Sequence, residues 1–353
     1  MAVTMQQIAE ACGVSRGTVD RALRGREGVR PEVARQIRQT ARELGYLPRH
    51  ASPLKEEKPV RIGVVLHTGV SVFVRQLAGL LAAYPGQTLL PIETIVRTMD
   101  GTDVPHQLAL IDELAERERV DGLAIMPLAS ALLRDKINEL SEKRGLPVVT
   151  INTDIADCAR LAYVGPDNIA CGRTAGALLG MAMGGKGRVL PILGQRSGHF
   201  ADTQRLSGFY AEISEAFPAI EMLPPEYCFL DQGLAERITL RALSEVEGLT
   251  GIYLSSVGRS GVYRALDRAG QGGRVHVVVH DLTRDNLQMI RAGVVDFAIG
   301  QGVKTQGSLP LLLLYQYLTG HVSPEKRRYS TEIEVKFRCN LLPEDEACQT
   351  PEL

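Results

Sequence analysis

Val3-Thr4-Met5-Gln6-Gln7-Ile8-Ala9-Glu10-Ala11-Cys12-Gly13-Val14-Ser15-Arg16-Gly17-Thr18-Val19-Asp20-Arg21-Ala22-Leu23 holds two helix starts and one stop in a single short stretch. Thr4 followed three places on by Gln7 has the form of a capping box: the hydroxyl accepts the Gln7 amide and the Gln7 side chain reaches back. The helix it opens turns Ile8, Ala9 and Cys12 inward and stops at Gly13, a residue free to take the left-handed conformation of a C-terminal cap. Val14 packs in the turn. Ser15 caps a second helix, from Arg16 to about Leu23, with Val19 and Leu23 on one face. Further on, Pro31 suits a first helical position, Val33, Ile37, Ala41 and Leu44 recur three or four residues apart, and Gly45 ends the run. Two short helices about a Gly turn, braced by a third, make a helix-turn-helix.

The second helix of such a unit enters the DNA major groove with the side chains of its N-terminal end. Arg16 stands in its first turn and Arg21 further along, and an Arg grips guanine O6 and N7 with two hydrogen bonds. Gly17 between them permits close approach to the duplex. Thr4, Ser15 and Thr18 are candidate phosphate contacts through hydroxyls and helix-end amides.

Charge agrees with a DNA-binding head. The 353-residue chain has a formal net charge of only -1, but residues 1–60 carry a balance of +4 and the remainder -5. Phosphate neutralisation supplies much of the affinity for DNA, so a basic head on a mildly acidic body suits that partner. The length allows two or three units, and 44% hydrophobic residues supply enough apolar surface for sizeable cores. The cysteines, Cys12, Cys158, Cys171, Cys228, Cys339 and Cys348, are scattered without CxxC or metal spacing and read as reduced thiols. The first residues show neither a basic region nor an apolar one of secretory type, and the longest apolar runs, such as 309–314, are too short to span a bilayer. A cytoplasmic protein with no membrane partner is the expectation.

The quoted stretch resembles the head of the lactose-repressor (LacI/GalR) family, in its Gly-Val-Ser…Thr-Val…Arg core and in the later Glu-Leu-Gly-Tyr-x-Pro at 43–48. The resemblance implies that Arg16, Gly17 and Arg21 face bases. Asp20 stands where the family has Ser, which points to an unusual operator. Residues 51–59 read as a linker from Pro53, Pro59 and the charges between them. The family carries a hinge helix here whose Leu wedges into the minor groove, which makes Leu54 the candidate wedge; Pro53 departs from that pattern.

From residue 60, strand and helix signals alternate. Buried-strand runs at 60–66, 122–126 and 147–151, with a further strand at 88–96, alternate with helical stretches at 72–83, 107–116 and 131–143. The rhythm restarts with strands at 162–164, 188–193, 227–230, 251–254 and 275–279, separated by helices such as 170–181, 203–216 and 234–245. Two such series mean two parallel-sheet lobes. Ligands bind beyond the C-terminal ends of these strands. The residues there are His67, Asn152, Asp154, Asp281 and Gln301, with Phe73 and Arg205 at the starts of nearby helices. Planar amide, carboxylate and guanidinium groups match sugar hydroxyls, which both donate and accept, and a Phe face covers the apolar side of a ring.

The body resembles the type I periplasmic sugar-binding fold that forms the effector domain of the same family, in Arg61-Ile62-Gly63-Val64-Val65, Val120-Asp121-Gly122-Leu123, Pro147 to Asn152, Asp167-Asn168 with Gly172, Arg205 with Gly208-Phe209, and His280-Asp281. The resemblance implies that Arg205 and Asp281 hold sugar hydroxyls. It also implies three crossings between lobes, near 157, 300 and 327. The first lobe would then be 60–157 with 301–326, and the second 158–300 with 327–353. The expected fold class is an all-α helix-turn-helix head (1–50) joined to an α/β two-lobed domain with parallel sheets (60–353).

Other chemistries lack their motifs. Gly180, Gly185 and Lys186 nearly match a phosphate-binding loop, but position 187 is Gly where a Mg²⁺-holding hydroxyl is needed, and the segment lies between a helix and a strand in the wrong order. No metal spacing, Gly-x-Ser-x-Gly elbow or acid–base pair is visible, so no catalysis, cofactor or metal is expected. The sequence therefore predicts a regulator, by family default a repressor. It would bind a pseudopalindromic double-stranded operator as a homodimer, or as a tetramer built from it, under the control of a small sugar or polyol. An exported solute-binding protein, or a sugar-modifying enzyme on the same fold, are the alternatives.

Overall fold

The computed structural model describes residues 4–23, 29–30, 33–34, 36–37, 40–41, 58–194, 200–320 and 323–342. It divides into two units, Met1–Lys58 and Pro59–Leu353. Leu54 and the rest of 51–57 lie outside the described residues.

In the first unit, α1 (Met5–Cys12) starts on the expected capping box: the Gln7 amide donates to the Thr4 hydroxyl and the Thr4 amide to the Gln7 side chain at 2.9 Å. Gly13 ends it in the left-handed region with φ 64°. α2 (Arg16–Leu23) opens on Ser15, whose hydroxyl accepts the Thr18 amide at 3.1 Å. Ile8, Ala9, Val19, Ala22, Ala34, Ile37 and Ala41 form a shared core, so the segment after Pro31 braces the first two helices as its periodicity predicts. Ile8, Val19 and Ile37 are fully buried, each contributing roughly 1.5–3 kcal/mol of apolar burial.

The second unit carries two sheets. The first is ordered β12-β5-β4-β3-β1-β2, from β1 (Val60–Leu66), β2 (Ile92–Thr98), β3 (Gly122–Ile125), β4 (Val148–Ile151), β5 (Ala162–Gly165) and β12 (Arg328–Ser330). The second is ordered β13-β11-β10-β9-β6-β7, with β8 beside β6. Its strands are β6 (Gly187–Leu193), β7 (Ile220–Met222), β8 (Glu226–Tyr227), β9 (Leu249–Leu254), β10 (His276–His280), β11 (Phe297–Gly300) and β13 (Glu334–Lys336). All pairings are parallel except β11 with β13. Each sheet reverses its winding direction once, between β1 and β3 and between β6 and β9, which opens a crevice at the C-terminal strand ends.

Helices cover both sheets. Over the first lie α3 (Val72–Gln87), α4 (Val104–Asp112), α5 (Ala131–Asn138), the short α11 (Val303–Gln306) and α12 (Leu309–Gly320). Leu311, Leu313 and Leu314 of α12 share a core with Ile62, Val64 and Leu66 of β1, so the longest apolar run is a buried helix. Among the described residues no helix is long and apolar enough to cross a membrane. Over the second sheet lie α6 (Asn168–Ala182), α7 (Phe200–Ala216), α8 (Gln232–Glu245), α9 (Arg259–Arg268) and α10 (Arg284–Arg291).

The lobe boundaries differ from those expected. β5 pairs with β4, and β12 with β5, so both belong to the first sheet and not the second. The chain therefore crosses just after Gly165, at 301–302, and after Ser330, not near 157 and 327. The strand expected over 227–230 is confined to Glu226–Tyr227, and the residues after it turn sharply. The near-match to a phosphate loop is the turn between α6 and β6.

Candidate functional site

A cleft of about 440 Å3, counting space open to solvent, is lined from both lobes. Thr68 and Ser71 follow β1, Phe73 and Val74 open α3, Met126 follows β3 and Asn152 follows β4. From the other lobe come Ala201 and Arg205 of α7, Leu230 after β8, Ser256 and Val257 after β9, Asp281 after β10, and Gln301 in the second crossing. Every strand that contributes does so at its C-terminal end, where the winding rule puts ligands.

Backbone strain gathers at the same place. Thr68, Asn152, Leu230 and Asp281 all have positive φ, between 58° and 74°. Non-glycine residues avoid this region, above all β-branched ones, and such strain persists where the surroundings enforce it, commonly at binding sites. The enforcement at Asn152 is visible: its amide donates to the Val164 carbonyl at 3.0 Å, and its own carbonyl lies 2.9 Å from the buried Tyr163 hydroxyl.

The polar side chains are wired to one another. Asn152 Nδ2 donates to Gln301 Oε1 and to Gln306 Oε1, each at 3.1 Å. Arg205, 3% exposed, donates from Nε to Asn168 Oδ1 (2.9 Å), from Nη1 to the Ser255 carbonyl (2.8 Å) and from Nη2 to Gln301 Oε1 (2.5 Å). Gln301 Nε2 donates to Asp281 Oδ1, and Arg259 Nη1 donates to Asp281 Oδ2 at 3.0 Å. The Gln301 carbonyl accepts from Gln306 Nε2 (2.6 Å) and from Thr331 Oγ1 (2.8 Å), which ties the second crossing to the third. Buried polar groups are costly unless paired, and here the pairing runs through both lobes.

Of the expected cleft residues, Phe73, Asn152, Arg205, Asp281 and Gln301 come together. Phe73 does two things at once, packing in the first lobe's core while lining the cleft. His67 and Asp154 do not line it. His67 is buried beneath it, with Nδ1 2.7 Å from the Thr68 hydroxyl. Asp154 turns away to pair with Arg160 at 2.6 Å and accepts from Thr150 Oγ1 at 2.8 Å. A carboxylate three residues past a strand has an ion-pair partner of its own, and no strand-end rule distinguishes that case. Arg259, Leu230 and Ser256 were not anticipated. Arg259 sits at the first position of α9, next to the Ser255-Ser256-Val257-Gly258 loop.

Beside Asp281, His280 is fully buried, with Nε2 2.9 Å from the Tyr253 hydroxyl. Burial holds its imidazole well below the usual histidine range, and the charges of Arg205 and Arg259 push it the same way. Tyr253 stacks on Phe209 with ring centroids 4.3 Å apart. Burial pushes the Tyr253 hydroxyl above its ordinary value, so it stays protonated.

On the first unit, Thr4, Ser15, Arg16, Gly17 and Arg21 are exposed and Thr18 is half-buried. Arg21 Nε donates to the Gly17 carbonyl at 3.3 Å, which lays its guanidinium along the surface of α2. The Ser15 and Thr18 hydroxyls are 2.9 Å apart and paired with each other. Both arginines thus stand on the outer face of α2, while Val19 and Ala22 occupy its inner face.

Comparison with known proteins agrees with both halves. Residues 62–321 match the periplasmic binding protein domain, and residues 4–49 match bacterial regulatory proteins of the lacI family. Catabolite control protein A of Staphylococcus xylosus is 26% identical over 158 residues, 44% of this chain and 46% of that one. The chain spans about half the length of the catabolite control proteins it matches. The ribose import binding protein RbsB of Haemophilus influenzae is 24% identical over 220 residues, covering 62% of this chain and 73% of that protein. Among solved structures, a carbohydrate transporter solute-binding protein from Agrobacterium radiobacter, in complex with D-arabinose, is similar with a TM-score of 0.74 at 19% identity, covering 83% of this chain and 100% of that one. The match runs across most of the body: the chain belongs to the periplasmic binding protein domain family and carries, ahead of that domain, a head that matches bacterial regulatory proteins of the lacI family.

Proposed function

We propose that this chain is a sequence-specific transcriptional regulator, by default a repressor, whose operator affinity is set by a small sugar or polyol held between the two lobes. One observation carries the reading. A helix-turn-helix with Arg16 and Arg21 on its outer face is joined in one chain to a cleft whose polar groups come from both lobes. In the proposed mechanism Arg16 and Arg21 read base edges, while Thr4, Ser15 and Thr18 fix the register on phosphates through helix-end amides and hydroxyls. Two copies place two such helices on a pseudopalindromic site. Phe73, Asn152, Arg205, Asp281 and Gln301 take the ligand, which acts only as far as it binds the two lobe arrangements differently. The chain acts by binding, without catalysis, and works in the cytoplasm.

The relatives fit this scheme: a catabolite control protein shares sequence with the chain, and a ribose import binding protein shares the body. The test is a pair of variants of the full chain. An operator is first selected from random duplexes by the wild-type protein. Arg21→Ala should then lose about 1–3 kcal/mol of discrimination at one base position and keep its ligand response. Arg205→Ala should keep operator binding and lose the response. Unchanged base preference in Arg21→Ala sinks the DNA-reading assignment, and an intact response in Arg205→Ala sinks the cleft.

A further inference from the structure

Of the two buried arginines at the cleft, Arg259 is paired with a carboxylate and Arg205 is not. Arg205 is 3% exposed, and its three donated hydrogen bonds go to an amide oxygen, a backbone carbonyl and another amide oxygen. Among the described residues no carboxylate pairs with it. Asp281, the one carboxylate lining the cleft among the described residues, is already taken by Arg259 at 3.0 Å and by Gln301. A second buried carboxylate nearby, Asp202, accepts the Ser255 hydroxyl at 2.7 Å and the Gly194 amide at 3.1 Å. Neither residue of the Ser255-Ser256 pair after β9 supplies a negative charge. A buried cation compensated only by neutral dipoles is expensive. A guanidinium has five N–H donors, and three hydrogen bonds leave two for a ligand, one on each terminal nitrogen. That is the fork that grips a carboxylate or phosphate in two places.

We infer that the cleft takes an acidic sugar derivative, with its carboxylate or phosphate on Arg205 and its hydroxyls on Asn152, Gln301 and Asp281. This rests on the sugar-responsive reading above and narrows its ligand class. Arg259 is the positioning residue: by pairing with Asp281 it leaves Arg205 as the cleft-lining cation that has no carboxylate hydrogen-bonded to it among the described residues. Ser256, whose hydroxyl oxygen is buried at the cleft wall without a hydrogen-bond partner, is a further contact for the ligand.

The experiment uses the full chain, thermal unfolding and calorimetric titration, with matched probes. D-glucuronate is paired with D-glucose, D-galacturonate with D-galactose and D-gluconate with sorbitol; glucose 6-phosphate and ribose 5-phosphate form the phosphate arm. The expected result is that one acidic probe binds about tenfold or more tighter than its neutral counterpart, and the arm in which it falls identifies the anion. In Arg205→Gln that preference should vanish. Should that variant fail to fold, Arg259→Gln serves instead, weakening the acid far more than the neutral sugar because the Asp281 carboxylate then lies unpaired at the cleft wall. A neutral sugar binding as tightly as its acid overturns the anion assignment and leaves the sugar-responsive reading standing. A panel in which no probe, acidic or neutral, shifts the unfolding midpoint or operator binding overturns both.

Discussion

His280 ties the chemistry of a single residue to the stability of the second unit. Folded, it is fully buried and held well below its ordinary titration range by burial, with Arg205 and Arg259 adding to the effect. Unfolded, it titrates near the ordinary histidine value of 6.5. Above that pH neither state carries a proton on the ring, and His280 adds no pH dependence. As the pH falls below it, the unfolded chain takes up a proton that the folded chain refuses, so stability drops with falling pH. The slope from this one group approaches about 1.4 kcal/mol per pH unit. His280→Gln, which keeps a polar partner for Tyr253, should flatten the unfolding profile between about pH 6.5 and 5. Denaturant titrations of both proteins across that range check it, and equal slopes would refute the assignment. The residue scale is also where sequence reading was least able to separate roles. Asp281 and Asp154 both follow parallel strands, yet one meets Arg259 in the cleft and the other meets Arg160 outside it. The partner decides: Arg160 stands six residues from Asp154, while Arg259, on α9, stands 22 residues from Asp281.

At the scale of elements, the arginine in the cleft is placed by glycines it never touches with its side chain. A Cβ on Gly172 of α6 would meet the Arg205 carbonyl, and one on Gly208 of α7 would meet the Ile169 carbonyl. The two helices cross backbone to backbone at these points. Gly172→Ala should therefore push α7 away, destabilise the chain by about 1–3 kcal/mol as overpacking does, and weaken ligand binding, while operator recognition by α2 persists. Gly79→Ala is the control: a Cβ there meets nothing within 4 Å, and removing a helical glycine stabilises by roughly 0.5–1 kcal/mol. Thermal unfolding and ligand titration of both variants separate the two outcomes; equal behaviour would mean that the crossing is not tight. Element-scale legibility follows the same physics. β1, β3, β4, β6 and β10 were readable because strands buried on both faces are continuous apolar runs. β12 and β13 were not, being three-residue edge strands that carry Arg328, Glu334 and Lys336, the charged, short form in which edges resist stray pairing. The first crossing was misplaced because β5 is as apolar as its neighbours, and nothing in an apolar run says which sheet it joins.

At the scale of the whole molecule, the proposal makes a thermodynamic demand that no single contact can satisfy. Head and cleft are separate units of one chain, so the ligand reaches DNA affinity only through a shift between two arrangements of the protein. Such coupling is reciprocal. If saturating ligand changes the operator dissociation constant by a given factor, saturating operator must change the ligand dissociation constant by the same factor, typically about 5–150-fold. Fluorescence anisotropy gives the first number and calorimetry the second, both on the full chain at one salt concentration, because the phosphate contacts make operator affinity fall steeply with salt. The two factors are expected to agree, and Arg205→Ala should bring the first to unity while leaving the unliganded operator affinity unchanged. Disagreement that persists at two protein concentrations would refute a single two-state coupling. Disagreement that changes with concentration would instead place the control in assembly of the dimer, because dissociation of a pseudopalindrome-binding pair depends on total protein and a closed-cleft equilibrium within one chain does not.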